Sequence, residues 1–183
     1  MISSAFFARD AVTVAEDLIG TFLEVDGAGG TIVETEAYLK DDAASHSYRG
    51  RTPRNSPMFG SPGTLYVYRS HGLHICLNFV CQTGSAVLVR ALEPAIGLEI
   101  MRLRRRTSND RILCAGPGRL CQALEITLGL SGQSLFSSKL RLSAGQNELE
   151  VCRGPRIGIR KAVDLPWRFG AQGSRYLSRK FSV

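Results

Sequence analysis

Three residues at alternate positions, Glu34, Glu36 and Tyr38, could do acid–base chemistry together. Their segment is typical of a β-strand, so the side chains should share one face, with the carboxylates roughly 6–7 Å apart. A carboxylate beside an aromatic ring, where a strand opens into a polar loop, suits a general base next to a stacking surface. The same spacing also suits an edge strand that exposes its polar face, because exposed glutamates are common.

Residues 64–80 predict a β-hairpin with Ser70-His71-Gly72 at its tip. By alternation, one face of its second strand belongs to the core and the other could line a polar pocket. The core face carries Leu73, Ile75, Leu77 and Phe79; the pocket face carries His74, Cys76, Asn78 and Val80; the first strand puts Tyr66 and Tyr68 on one face. The cation and ring at the tip suit a wedge for a DNA minor groove, or an ordinary solvated turn.

Several arginines, and the glycines at 116 and 118, could either bind ligand groups or have an ordinary structural role. Arg90 ends a predicted strand and could hold a carboxylate ionised, or lie on the surface. The run of arginines over 102–106, with Arg111, could follow phosphates or form a solvated helix end. Gly116-Pro117-Gly118 opens a predicted helix, and some helix N-termini bind anions.

The elements that must position these residues mix strands and helices without a regular βαβ order. A Thr13–Glu16 capping box begins a predicted helix, and DGAGG predicts the turn between strands at 21–25 and 31–38. Residues 39–63 form a long polar loop, of a length that usually marks function or disorder. Apolar residues at 96, 100 and 103 predict a second helix, and Pro117 begins a third.

This order of elements favours one fold class. We expect an α+β fold: a single domain over residues 1–183, with a largely antiparallel mixed sheet, flanking helices and a protruding β-hairpin.

Composition narrows the class of partner. The chain has 183 residues and a formal net charge of +7, which favours a polyanionic partner. The five cysteines form no C-x-x-C pair and suggest buried free thiols in a reducing compartment. Since neither a secretory signal nor an apolar span is evident, we expect a cytoplasmic protein without membrane contact.

Four segments together resemble the alkyladenine (3-methyladenine) DNA glycosylase family. They are GTIVETEAYLKDDAASHS, TPRNSPMFGSPGTLYVYRSHGLHICLN, VLVRALEP and LCAGPGRLCQAL, with weaker similarity in RIGIRKA and RFGAQGS. The resemblance covers roughly residues 5–180. It implies that Glu36 activates the attacking water, that Arg90 helps to hold this water, and that the carbonyl near Ile159 is a third contact.

The resemblance also implies a pocket for a flipped base. Tyr38, His46 and Tyr68 are similar to the residues that sandwich the base, and His46 would offer its backbone N–H to the purine edge. Asn78 is similar to the residue that disfavours guanine by clashing with its exocyclic amino group.

The hairpin tip departs from the family pattern. His71 stands where well-known members have the tyrosine that fills the gap left by the flipped nucleotide, with Arg69 and Leu73 beside it. A second departure is His74, where an aromatic residue is also seen. Histidine is smaller and titrates near neutrality, so these departures bear on flipping and damage range and leave the reaction class unchanged.

The implied partner is double-stranded DNA that contains damaged purines, with phosphate contacts expected at Arg54, Gly118 and Arg119. The implied reaction releases 3-methyladenine, hypoxanthine or ethenoadenine and needs no metal and no cofactor. A monomer is expected, located at the nucleoid in a bacterium or in the nucleus of a eukaryote. Two alternatives are a nucleic-acid-binding homologue with weak catalysis, and a small-molecule N-ribosyl hydrolase that uses Glu34 and Glu36 as acid and base.

Overall fold

An eight-stranded antiparallel sheet is the framework of the protein in a computed structural model, which describes residues 2–145 and 148–181. The main path of the sheet runs β3-β4-β5-β2-β1-β6, and β8 pairs with both β2 and β7. The strands are β1 (Phe22–Val25), β2 (Ala28–Tyr38), β3 (Leu65–Ser70), β4 (His74–Val80), β5 (Ala86–Ile96), β6 (Leu140–Ser143), β7 (Val151–Gly154) and β8 (Arg168–Ala171). All of these pairings are antiparallel, and with the helices below they confirm the α+β class.

Strand β2 starts earlier than the glycine pattern predicted. The turn from β1 uses only Asp26 and Gly27, both with positive φ, as a two-residue hairpin turn requires. Gly29 and Gly30 lie within β2 because a Cβ there would come 2.4 Å from the Leu23 carbonyl oxygen and 2.0 Å from that of Glu93. These glycines therefore allow close approach of neighbouring strands, and DGAGG is not all turn.

Four α-helices are present in the described residues: α1 (Ser4–Phe7), α2 (Ala11–Asp17), α3 (Leu98–Arg105) and α4 (Pro117–Ala123). The predicted capping box of α2 is wrong by three residues. Asp10 is the N-cap, and its side chain accepts from the N–H groups of Val12 and Thr13. Its carboxylate satisfies the free amides of the first turn before Thr13 is reached.

Helix α3 buries a different face from the one predicted. Met101 is its buried residue, whereas Ile100 and Leu103 are 43% and 76% exposed. Arginines beside Met101 contact the neighbouring segments: Arg102 pairs with Asp110, and Arg104 donates to the Ala123 carbonyl. These contacts hold the helix against its neighbours. They also give Arg102 and Arg104, two candidates for phosphate contacts, partners within the protein.

The core lies between the sheet and helices α2 and α4. Leu77 and Phe79 of β4 are fully buried there, as alternation predicted. Leu73 is 79% exposed because β4 begins only at His74, so its assignment to the core is wrong. The five cysteines are free and four of them are buried, as predicted.

The long loop after β2 is ordered by side-chain hydrogen bonds to backbone. Asn55 donates from Nδ2 to the carbonyl oxygens of His46 and Gly50, and Ser47 donates to that of Gly84. A 3-10 turn, Ser56–Phe59, closes the loop before β3. The loop thus holds His46 in a defined place beside the sheet. Within the described part of the chain, no helix combines the length and apolar character of a membrane span.

Candidate active site

An irregularity in the pairing of β2 with β5 positions Arg90. Glu34 pairs with Ala91 and Thr35 pairs with Val89, so Arg90 has no Cα partner on β2. Such a bulge redirects a side chain that regular alternation would place elsewhere. Here it brings the guanidinium against the face of β2 that carries Glu34 and Glu36. The opposite face of β2 contacts α2, where the Thr35 hydroxyl donates to the Ala15 carbonyl over 2.7 Å.

Glu36 is fully buried, and each of its oxygens has defined partners. Oε1 accepts from the backbone N–H of Ile157 over 2.7 Å and lies 3.1 Å from Arg90 Nη1. Oε2 accepts from the Tyr38 hydroxyl over 2.7 Å. Since Tyr38, Arg90 and Ile157 line the adjoining cavity, Glu36 lies directly behind the cavity wall.

The surroundings of Glu36 raise the affinity of its carboxyl group for a proton. Burial, the largest influence, raises the pKa of Glu36, while Arg90, the Ile157 N–H and the Tyr38 hydroxyl limit the rise. Burial and the negative charge of Glu36 raise the pKa of Tyr38, so its hydroxyl stays protonated and donates. A carboxylate with a raised pKa accepts a proton more readily than an ordinary one.

Glu34 is also fully buried, which excludes the exposed edge-strand interpretation of β2 at this position. Its Oε1 accepts from Arg90 Nε over 3.1 Å and from the Ser178 hydroxyl over 2.8 Å, and the Ser178 N–H donates to Oε2. Arg168 Nη1 lies 3.4 Å from Oε1. Glu34 thus orients Arg90 and ties the segment after β8 to the site.

The cavity beside Glu36 has a volume of about 440 Å³, which is within the range of small-molecule pockets. Its walls come from the loop after β2, strands β3 to β5, and residues 157–161. Predicted site residues among its lining are Tyr38, His46, Tyr68, His71, Asn78 and Arg90, together with Ile159. His74 was predicted to face the pocket but does not line it; its side chain packs against Gly118 instead.

Aromatic rings form one side of the cavity. Tyr66 and Tyr68 stack with centroids 5.3 Å apart, and the His46 ring meets Tyr68 edge-on at 4.6 Å. His46 Nδ1 is 2.8 Å from the Tyr66 hydroxyl. The His46 residue is exposed as a whole, but desolvation of its ring and the charge of Arg54 lower its pKa and favour the neutral imidazole.

Asn78 has a fixed orientation in the cavity wall. It is buried, and its Nδ2 donates to the Tyr66 carbonyl over 2.9 Å. This bond leaves Oδ1 as the polar atom available on the other side of the amide.

The hairpin tip is exposed, and its backbone is constrained. His71 has a φ of 49° and Gly72 a φ of 71°, as a tight turn requires. The His71 ring is 3.0 Å from the Ser70 hydroxyl through Nδ1, and Leu73 next to it is 79% exposed. Arg69 is exposed, and its carbonyl accepts weakly, over 3.4 Å, from Arg54.

The residues predicted to contact phosphates lie at different places around the cavity. Arg54 is exposed in the loop after β2, and Arg119 is exposed on α4 and donates to the Ala115 carbonyl. Gly118 has a packing role, because a Cβ there would come 2.9 Å from the side chain of His74. Arg160 and Lys161 also line the cavity, so its rim is cationic.

Four residues of the site were not found from the sequence: Asp42, Arg156, Arg168 and Ser178. They contact Glu34, Tyr38 or one another across more than a hundred positions of chain, so no local spacing connects them. Their signal in the sequence was membership of the similar segments: Asp42 lies in GTIVETEAYLKDDAASHS, Arg156 begins RIGIRKA and Arg168 begins RFGAQGS. Within residues 2–145 and 148–181, no three His, Cys, Asp or Glu side chains are grouped so as to share a metal ion.

The chain is similar to known proteins along most of its length. A family model described as methylpurine-DNA glycosylase matches residues 5–175. A protein of Rhizobium meliloti is 57% identical over 176 residues, covering 96% of this chain and 95% of its own length. Proteins of Agrobacterium fabrum and Nitrosospira multiformis are 53% and 54% identical, with 98% and 96% of this chain and 93% and 92% of their own lengths covered. Each bears the name "Putative 3-methyladenine DNA glycosylase". The match over most of the chain confirms the resemblance seen in the sequence, and the chain belongs to the methylpurine-DNA glycosylase family.

Proposed function

We propose that the protein flips a damaged purine out of duplex DNA and hydrolyses its N-glycosidic bond, leaving an abasic site. The observation that carries the proposal is the environment of Glu36: a buried carboxylate that contacts Arg90, Tyr38 and the Ile157 N–H at the wall of an aromatic cavity. A base of this kind beside a pocket for a flat ligand suits removal of a base from its sugar.

In the proposed reaction the bond between C1′ and N9 of the purine breaks, and both electrons leave with the purine. The sugar passes through an oxocarbenium-like state, which the negative charge of Glu36 stabilises. A water oxygen then bonds to C1′ and gives one proton to Glu36. A cationic base such as 3-methyladenine becomes neutral on leaving, whereas hypoxanthine or ethenoadenine must also receive a proton.

The water needs access to Glu36. Among the described residues, Ile157 and Arg90 contact Oε1, whereas the Tyr38 hydroxyl alone donates to Oε2. We therefore assign Oε2 as the oxygen that takes the proton, after the water replaces or joins the Tyr38 hydroxyl there. Arg90 and the Ile159 carbonyl are the proposed further contacts of this water.

Recognition of the base is assigned to the cavity walls. The proposed sandwich holds the purine between Tyr38 and the pair of His46 and Tyr68 rings, since aromatic faces stack on any purine. Asn78 would exclude guanine through its exocyclic amino group, with its amide held in place by the Tyr66 carbonyl. The backbone N–H of His46 is the proposed donor to the purine edge.

The cationic rim and the hairpin are assigned to DNA. Arg54, Gly118 and Arg119 are the proposed phosphate contacts, and the net charge of +7 supports a duplex partner. His71, with Leu73 and Arg69, is the proposed wedge that fills the gap left by the flipped nucleotide. A single domain acting as a monomer is the simplest form of this enzyme.

Two observations argue against the alternatives. Glu34 accepts from Arg90 and Ser178 and does not line the cavity, so it is poorly placed to be the acid of an N-ribosyl hydrolase. A DNA-binding homologue without catalysis would have no need for the buried Glu36, since burying a charge is costly.

The test is a single-turnover assay on duplex oligonucleotides that each carry 3-methyladenine, hypoxanthine or ethenoadenine. We expect the wild-type protein to release at least one of these bases, and Glu36→Gln to bind the same duplex without release. Release of none of the three, or full activity of Glu36→Gln, would reject the assignment. Equal cleavage of free nucleosides would favour the N-ribosyl hydrolase.

A further inference from the structure

Arg156 is buried beside the cavity and joins three segments of the chain. Its Nη1 donates to the Ala37 carbonyl over 2.9 Å, and its guanidinium forms a two-pronged ion pair with Asp42, with Nη2 3.1 Å from Oδ1. The same group lies over the rings of Tyr38, at 4.6 Å, and Trp167, at 5.1 Å. One side chain therefore contacts the end of β2, the loop that follows it, and the residue just before β8.

On one side, the pair organises the approach to His46. Asp42 Oδ1 accepts from the Ala44 N–H over 2.9 Å, and the Asp42 carbonyl accepts from the Ser45 N–H over 2.8 Å. Ala44, Ser45 and His46 all line the cavity. The position of Arg156 thus sets the turn that presents His46.

On the other side, the pair organises the approach to Glu36. Ile157, the next residue in the chain, donates its N–H to Glu36 Oε1 over 2.7 Å. Arg156 Nη2 also reaches the Ala162 carbonyl over 3.4 Å, which closes the loop 157–161 that lines the cavity. Any shift of Arg156 would move the Ile157 N–H relative to Glu36.

Stability alone is a weak reason for this arrangement. Burying two charges costs much of what their attraction gains, and apolar pairs of similar volume often serve as well. Moreover, Arg156 Nε is buried with no hydrogen-bond partner in the described part of the chain. A planar guanidinium can donate in several fixed directions while stacking on aromatic rings, which a lysine cannot do. The Arg156–Asp42 pair is therefore better explained by a role in fixing the positions of neighbouring groups than by its contribution to stability.

We propose that the buried Arg156–Asp42 pair is a positioning element of the active site, which holds the Ile157 N–H against Glu36 while holding the Tyr38 ring and the His46 turn in place. This role rests on the proposed function of Glu36 as the base. Neither residue touches the substrate in this proposal; both act through Ile157, Tyr38 and His46.

The first test measures the pKa of the Glu36 carboxyl by carbon NMR of the full chain labelled at glutamate, with Glu36→Gln to assign the signal. Charged and titratable groups facing Glu36 come from β2, β5, β8, β3 and β4: Glu34, Tyr38, Arg90, Arg168, Tyr68 and Cys76. None is changed in Arg156→Lys, so loss of the Ile157 N–H should dominate and raise the pKa of Glu36 by about 1 pH unit. The single-turnover rate at neutral pH should fall about tenfold or more, with a smaller change in affinity for lesion duplex.

Two further variants keep the test decisive. Asp42→Leu combined with Arg156→Met removes both charges at similar volume; it should fold stably and still show the raised pKa of Glu36. Arg102→Lys is the matched control, because Arg102 makes a two-pronged pair with Asp110 outside the cavity. It should leave the pKa of Glu36 and the rate unchanged.

An unchanged pKa of Glu36 in both Arg156 variants would overturn the proposal, even if their activity is low. This readout requires no base release. Failure of the wild-type protein to release any base would therefore count against the proposed function and would be recognised separately from failure of the positioning role.

Discussion

Arg90 donates a hydrogen bond from Nε to Oε1 of Glu34 over 3.1 Å, and both residues are buried. The same guanidinium is 3.1 Å from Glu36 through Nη1, so Arg90 lies between two carboxylates of one strand. Its charge is shared between them. Glu34 thereby influences how strongly Arg90 acts on Glu36, which lies behind the cavity wall.

Glu34→Gln should therefore lower the pKa of Glu36, because the negative charge of Glu34 raises it and more of the Arg90 charge would then act on Glu36. The acid limb of the single-turnover rate should move to lower pH, opposite in direction to Arg156→Lys. The rate at neutral pH should fall about tenfold, because Arg90 loses the hydrogen bond that orients it. The free energy of unfolding should fall by about 3 kcal/mol, because Arg90 and Arg168 lose the carboxylate that they share, whereas both keep Glu34 when Glu36 is changed. Glu93→Gln, an exposed change on β5, is the control. An acid limb that stays in place or moves upward would contradict this role of Glu34.

The base-release rate of the wild-type protein should depend on pH through Glu36. Burial raises the pKa of this carboxyl, so the rate should fall with decreasing pH at values above the ordinary range of a glutamate. Tyr38→Phe removes a hydroxyl that donates to Oε2 and lowers the pKa of Glu36, so its acid limb should lie higher still. Single-turnover rates across the acidic and neutral range measure both limbs. A limb at the ordinary pKa of glutamate, unchanged in Tyr38→Phe, would show that another group is titrating.

Glu36→Gln should make the protein more stable at neutral pH while abolishing base release. The folded-state pKa of Glu36 is raised above its unfolded value, so the folded state binds this proton more tightly. The resulting stability is present below the unfolded pKa and is lost as pH rises through the folded pKa. Gln does not titrate, so Glu36→Gln should not lose stability as pH rises. At neutral pH its Tm should exceed that of the wild type by about 2–4 °C for each kcal/mol of stability, and the difference should shrink in acid. Thermal unfolding of both proteins at several pH values tests this; a Glu36→Gln protein that is less stable throughout would refute it.

His71→Ala should lower the affinity for a duplex that carries a lesion and should leave the fold nearly as stable as before, because His71 is exposed. His71→Asn is the sharper variant, since asparagine tolerates the positive φ of 49° at this turn and has no ring. Both should reduce flipping, measured by the fluorescence of ethenoadenine in the duplex. The control is Leu103→Ala, a side chain on α3 that is 76% exposed and does not line the cavity. Equal lesion affinity in wild type and His71→Asn would remove the role of the wedge.

Local pattern predicted much of the framework correctly. Alternation in β2 places Glu34 and Glu36 on one face, and the hairpin β3–β4 lies where its turn residues indicated. Where the predictions were wrong, longer-range contacts were responsible. In α3, Arg102 pairs with Asp110, and the helix buries a different face from the one predicted. Gly29 and Gly30 belong to β2 and not to the turn, because neighbouring strands come too close there for a Cβ.

The sequence by itself determined the reactive residues and the charge: a carboxylate two residues before a tyrosine, in a cationic chain. It also determined the family, which the comparisons confirm. Only the tertiary structure decided how Glu36 is surrounded. Arg90 is 54 residues from Glu36 in the chain, and Ile157 is 121 residues from it. Arg156 and Asp42 are 114 residues apart. Burial and hydrogen bonding act through distance in space, so the pKa of one carboxyl depends on contacts that no spacing along the chain reveals.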